Sequence, residues 1–167
     1  MTAEEIIVRL KLKPHPNEGG FFTETYRADE AAAADALPSR YSGDRAFGTC
    51  IYYLLKPGHF SAIHRLRSDE IFHFYLGDPV EMLQLAPDGI GKVVVIGVDL
   101  AAGMSPQVIV PRGVWQGSHL VGGGTFALLG CTVAPGFDYA DYEHGRRADL
   151  IRSHPQFREK IVALTTE

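Results

Sequence analysis

An all-β domain, folded as an antiparallel sandwich or barrel with short helices at its ends, is what the sequence predicts. Three observations carry that prediction. From Phe47 to Val133, short β-type runs alternate with turn signals such as Lys56-Pro57-Gly58, Gly77-Asp78-Pro79 and Gly122-Gly123-Gly124. Such punctuation favours antiparallel strands over βαβ units. Helical patterning is confined to the two ends. The chain has 167 residues and no internal repeat, which fits a single domain, 1–167, around one core.

The elements follow in order. Thr2-Ala-Glu-Glu5 is a capping box, and Ile6, Ile7 and Leu10 share a face, so residues 3–12 read as a helix. Pro14-His15-Pro16 ends it. The alternating run Phe21 to Arg27 reads as a strand, and the Ala- and Asp-rich residues 28–46 as a surface excursion. Strands are then expected near 47–55, 60–66, 70–76, 80–86, 92–98, 107–111, 115–121 and 125–133. Residues 146–163 return to helix, interrupted at Pro155, with Leu150, Ile151, Phe157 and Ile161 available to pack.

Composition excludes several function classes. Hydrophobic residues make up 46% and charged residues 22% of the chain, as in ordinary globular domains. A net charge of −4, with no basic stripe interleaved with aromatics, argues against nucleic acid as partner. No window has the length of a membrane span, and the N-terminus lacks a basic-then-apolar leader, so a cytoplasmic protein is expected. Cys50 and Cys131 both sit in apolar runs and are expected to be buried and reduced.

The chemistry concentrates in residues 58–77, GHFSAIHRLRSDEIFHFYLG. Two apolar runs joined by Arg67-Ser68-Asp69 form a hairpin, and a rising and a returning strand bring His64 and Glu70 together inside a barrel. Farther on, Pro111-Arg112-Gly113 is a turn leading to Gln116. The spacing Gly58-x5-His64-x-Leu66-x3-Glu70-x6-Gly77 resembles the first metal-binding motif of the cupin superfamily, and Pro111-x-Gly113-x-x-Gln116 resembles the second. Two ligand histidines of that pattern are replaced, by Leu66 and Gln116. Leucine offers a metal nothing and a neutral amide offers little. Any divalent metal held by His64, Glu70 and Gln116 is therefore expected to bind weakly, and no cofactor is required. Without a metal, buried His64 and Glu70 need hydrogen-bond partners or shifted protonation. They are then either acid/base groups or a structural pair.

Period-2 alternation with Glu70 inward sends Phe72, Phe74 and Leu76 inward and His73 and Tyr75 outward. Only a bulge would turn His73 into the missing nitrogen ligand. In Pro14–Arg27, Glu24 and Arg27 suit a pocket mouth, while Glu18 reads as part of an exposed, salt-bridged face. Asp138 follows the last core strand and either orients a pocket histidine or caps a turn. In His64-Arg65-Leu66-Arg67, parity turns Arg65 outward and Arg67 sits at the turn, in reach of an anionic ligand. Trp115 reads as packing.

With these residues assembled, the sequence resembles one branch of the cupin superfamily, a branch of unknown function, through PHPNEGGFFTETYR, HRLRSDEIFHFYLGDP, VPRGVWQG and GCTVAPGFDYADYE in order. The resemblance implies a cupin-type double-stranded β-helix, or jelly-roll barrel, with an N-terminal helix and a C-terminal helical tail. It also implies a homodimer and a small-molecule cavity at His64, Glu70 and Gln116. Kinship of that branch with sugar epimerases and isomerases suggests carbohydrate-derived ligands. The expected function is small-molecule binding or weak catalysis, with Phe72, Phe74, Gln116 and Glu24 among the ligand contacts. The alternative is a sugar isomerase or epimerase in which His64 is the base, Glu70 or Asp138 orients it, and Tyr75 or Tyr139 donates a proton. A metal-dependent oxygenase is disfavoured by Leu66 and Gln116.

Overall fold

Alternation of apolar and polar side chains gives each sheet one apolar face, and two such faces enclose the core. The computed structural model of the protein describes residues 1–166. Its strands are β1 (Lys13–Pro14), β2 (Phe21–Arg27), β3 (Ala31–Ala32), β4 (Arg45–Ala46), β5 (Thr49–Leu55), β6 (Phe60–Arg65) and β7 (Asp69–Gly77), followed by β8 (Val80–Leu85), β9 (Gly91–Ile96), β10 (Gln107–Val110), β11 (Trp115–Leu120), β12 (Ala127–Ala134) and β13 (Glu143–His144). Six pair in the order β1-β2-β5-β12-β7-β10 and five in the order β13-β6-β11-β8-β9, while β3 and β4 pair with each other. The arrangement is the expected jelly roll. Between the sheets lie Tyr53, Leu55, Leu66, Phe72, Met82, Leu129 and Val133.

The strand read at 21–27 stands at those residues, and the eight later strands lie within two residues of their expected bounds. The two-residue strands β1, β3, β4 and β13 had no legible pattern, because so short a run carries no periodicity. The register of β7 departs from the expected alternation at one point. Between Leu128 and Leu129 the β12–β7 ladder shifts from Leu76 to Phe74, leaving Tyr75 as the extra residue of a bulge. Leu76 therefore turns outward and is 41% exposed. His73 precedes the bulge and stays on the outer face, where its ring lies near Thr132 and Gln107.

Helices cover the outer faces. In α1 (Ala3–Leu10), Thr2 accepts from the Glu5 amide and Glu5 accepts from the Thr2 amide. Lys11 adopts a left-handed conformation and ends the helix earlier than the expected residue 12. Ala3 and Ile6 pack with Leu54, Phe126 and Leu128 on the larger sheet. The tail forms α2 (Arg147–Ser153), a short 3₁₀ turn and α3 (Arg158–Ala163). Pro155 disfavours an α-helical conformation at the residue before it, and His154 leaves the helix with φ −135° and ψ 61°. Leu150, Ile161 and Leu164 cover Ile63, Leu83 and Leu85 on the smaller sheet. No helix among the described residues is long and apolar enough to cross a membrane.

The excursion 28–46 is pinned to the segment after β12. Arg45 meets Asp141 through two parallel bonds of 2.7 Å, both side chains almost fully buried, and donates also to the carbonyls of Gly43 and Asp44. Removing one partner strands the other charge without water. Asp141→Ala is expected to lower the unfolding free energy by about 3 kcal/mol, measured by equilibrium denaturation.

Candidate functional site

The polar centre of the barrel is built on two neighbouring strands of the smaller sheet, β6 and β11, one strand of the larger sheet, β7, and one loop. On β6, Ile63 faces the helices, which turns His64 inward. On β11, Gln116 stands opposite His64 in the ladder. On β7, Glu70 faces inward next to Phe72. The structure thus brings His64, Glu70 and Gln116 together. Gln116 Nε2 lies 2.8 Å from His64 Nε2 and 3.1 Å from Glu70 Oε2. His64 Nδ1 lies 2.8 Å from the Ala62 carbonyl, which only accepts, so Nδ1 carries the hydrogen and Nε2 is an acceptor. One amide therefore donates both hydrogens, to the imidazole and to the carboxyl. The remaining oxygen of Glu70 accepts from the Cys131 thiol at 2.7 Å. Gln116 Oε1 is buried with no partner among the described residues.

The fourth member is Glu18, which the sequence reading placed on an exposed face. It is instead buried in the site. Gly19 and Gly20 have φ of 91° and 69°, and a Cβ on Gly19 would stand 2.5 Å from the Phe60 carbonyl oxygen. Only glycine allows this approach. The tight turn docks the loop on β6, where the Glu18 carbonyl accepts from the Ala62 amide. Glu18 Oε1 then lies 3.5 Å from His64 Nε2 and 3.6 Å from His15 Nε2. His15 is oriented by the amides of Asn17 and Glu18, which donate to its Nδ1. Tyr142 stacks on His64 with ring centroids 5.1 Å apart.

A cavity of about 440 Å³ opens beside this cluster. Glu18, Glu70 and His15 supply its polar floor, Phe22, Ile51 and Phe72 its apolar walls, and Glu24, Arg27, Asp138 and Tyr139 also line it. His64 and Gln116 lie behind the lining, not on it. Phe74 packs against the main core. Asp138 accepts from the Ala140 amide at 2.8 Å and so caps its turn, the second of the two roles expected for it. Tyr75 sits on the outer sheet face against Gly130, away from the cavity. Arg27 clasps Glu24 and the Phe137 carbonyl, tying β2 to the segment beyond β12. Cys131 is buried as expected, whereas Cys50 is half-buried; both are free thiols.

Burial governs protonation here. It pushes the Glu18 carboxyl up to about 7 against the opposing pull of His15. Burial likewise raises Glu70, with His64 pulling down and Glu18 pushing up. Burial lowers both His64 and His15, so each imidazole favours the neutral form. The Cys131 thiol is held well above its ordinary range by burial and by Glu70.

The donor set does not fit a cupin metal. Leu66 lies in the apolar core. The lone pair of His64 and one oxygen of Glu70 are taken by the same amide. Among the described residues, no group of three or more His, Cys, Asp or Glu side chains is arranged to hold a metal ion.

The fold and site define a jelly-roll barrel with an acid–base cluster at the base of a small cavity. The chain belongs to the Cupin superfamily (DUF985), whose family model matches residues 4–145. An uncharacterized protein of Saccharomyces cerevisiae is 31% identical over 159 residues, covering 90% of this chain and 79% of its own. A hypothetical protein from Leishmania major has a similar structure, with a TM-score of 0.89, 32% identity and full coverage of both chains. A Shewanella oneidensis protein superposes with a TM-score of 0.87 and 34% identity, covering 99% and 98% of the two chains. Oxalate decarboxylase from Bacillus subtilis, at 13% identity and a TM-score of 0.55 over 93% of this chain and 37% of its own, shares the fold alone.

The raised carboxyl has a consequence for stability. Folded Glu18 holds its proton up to about pH 7, whereas an unfolded glutamate loses it near 4.3. Between those values the folded state binds more protons, so the contribution of Glu18 to stability falls as pH rises. His64 and His15, lowered in the fold, act in the opposite sense. Glu18→Gln removes the carboxylate penalty and is expected to gain on the wild type between pH 5 and pH 8, by on the order of 3 kcal/mol. Urea denaturation of both proteins at the two pH values measures it.

Proposed function

We propose that the protein binds a small, hydroxyl- or carbonyl-bearing organic molecule, of carbohydrate-derived type, in the barrel cavity. The observation that carries this reading is the pair of buried carboxyls, Glu18 and Glu70, opening on one partly apolar cavity. A few convergent polar groups among aromatic and aliphatic walls are the usual make-up of a small-molecule site. Carboxyl oxygens suit sugar hydroxyls, and the rings of Phe22 and Phe72 suit the C–H faces of a sugar. Native mass spectrometry of the purified chain and thermal-shift titration with a panel of sugars and keto-sugars test the reading. Ile51→Trp, which fills the cavity without touching its polar floor, is expected to abolish both the retained mass and the shifts. Shifts unchanged in that variant would remove the cavity as the binding site.

A second reading, proton transfer on such a ligand, is favoured by one specific observation. Glu18 titrates at about 7 while facing the cavity, with the Nε2 acceptor of His64 3.5 Å behind it. A base poised near neutrality suits abstraction of a proton alpha to a carbonyl, as in isomerases and epimerases. In this version Glu18 meets the substrate and both takes and returns the proton, while His64, its two ring nitrogens engaged by the Ala62 carbonyl and the Gln116 amide, holds the floor behind it. Keto-sugars incubated in deuterium oxide are expected to incorporate deuterium with the wild type and about 100-fold more slowly with Glu18→Gln. Bound ligands that never exchange would leave binding alone.

A further inference from the structure

On the far side of Tyr142 from the barrel lies a second depression, a cleft of about 570 Å³, and its chemistry is cationic. Three separate stretches of chain deliver arginines to it: Arg40 from the excursion, Arg65 and Arg67 from the β6–β7 hairpin, and Arg112 from the turn before β11. Four of the protein's sixteen basic residues thus converge on one cleft of a chain with a net charge of −4. Each carboxylate nearby already has a partner. Asp141 is buried against Arg45, Asp69 accepts from the Arg112 backbone amide at 2.8 Å, and Glu143 pairs with Arg65 at 2.7 Å. Among the described residues no carboxylate pairs with the guanidinium of Arg40, Arg67 or Arg112.

Three of these cations, Arg40, Arg65 and Arg67, are also held in place. Arg40 donates from Nε to the Arg67 carbonyl at 2.9 Å, and Arg67 returns a bond from Nη1 to the Arg40 carbonyl at 2.5 Å. Arg40 lies over the Tyr41 ring at 4.7 Å and Arg65 over Trp115 at 4.3 Å. Arg40 also donates from Nη2 to the Tyr41 hydroxyl at 3.3 Å, so the two guanidinium groups are ordered with part of their N–H set still unused. Arg40, Arg67 and Arg112 gather without a paired carboxylate, which is unfavourable until an anion arrives, and ordered guanidinium forks bind phosphate oxygens in parallel pairs.

We propose that this arginine cleft is a binding site for a small phosphate-bearing anion, separate from the barrel cavity. Inorganic pyrophosphate is the probe, titrated calorimetrically into the full chain at constant ionic strength, with inorganic phosphate in parallel. The expected result is saturable one-to-one binding of pyrophosphate, tighter than that of phosphate. Affinity should fall about tenfold in Arg112→Ala and further in Arg67→Ala/Arg112→Ala, and hold in Arg9→Ala on the exposed side of α1. Arg112 and Arg67 are exposed, and the single variant Arg112→Ala leaves the Arg40–Arg67 clasp in place, so the test survives a misfolded double variant. Absence of saturable binding, or equal binding by Arg112→Ala and the wild type, would overturn the proposal.

Discussion

The Gln116 carboxamide is the interaction on which the centre of the barrel depends. A neutral imidazole that accepts and a carboxyl that accepts cannot satisfy one another, and an unpaired polar group in an apolar core costs about 1–3 kcal/mol. A donor of two hydrogens placed between them resolves both. Gln116 is that donor, at 2.8 and 3.1 Å, and it stands there because it faces His64 across the β6–β11 ladder. A histidine at this position, as in the cupin pattern, would offer a metal a second nitrogen. The amide instead occupies the imidazole's lone pair.

That substitution changes which groups remain available for chemistry. With His64 and Glu70 tied together, and Glu70 further engaged by the Cys131 thiol, Glu18 is the acidic group least committed inside the barrel. Its nearest titratable neighbours are two imidazoles that burial keeps neutral. No cation holds its charge, so its proton stays to about pH 7. The group that pulls the Glu18 carboxyl down is His15, whereas His64 is linked to Glu70, which Glu18 in turn pushes up.

Much of this was legible in the sequence, for physical reasons. The strands were readable because each has one face in the core, which imposes a period of two, and the turns because glycine and proline mark them. The His64–Glu70 hairpin and the distant Gln116 could be read as one site because their spacing resembles a known pattern. Glu18 could not, since it lies in a loop with no periodicity, and its burial depends on a docking that local patterning does not encode. Gly19-Gly20 was the available signal: two adjacent glycines permit a backbone approach that only a packed loop requires. Tyr142 was hidden similarly, in a segment whose path is fixed by Arg45 and Asp141, 96 residues apart. The Tyr75 bulge left no trace, because a single inserted residue looks like continuing alternation.

The segment from Phe137 to His144 joins these threads, because it forms the wall between the two concavities. Phe137, Asp138 and Tyr139 line the barrel cavity, while Ala140, Asp141, Tyr142 and Glu143 line the arginine cleft. Its position is set by three anchors of different kinds: Arg27 on the Phe137 carbonyl, Arg45 on the Asp141 carboxylate, and β13 on β6. Tyr142 presents one ring face to His64 and also borders the cleft. The Arg45–Asp141 pair engages both carboxylate oxygens in a buried setting, and β13 adds a backbone ladder, so directional bonds as well as packing hold this wall in place.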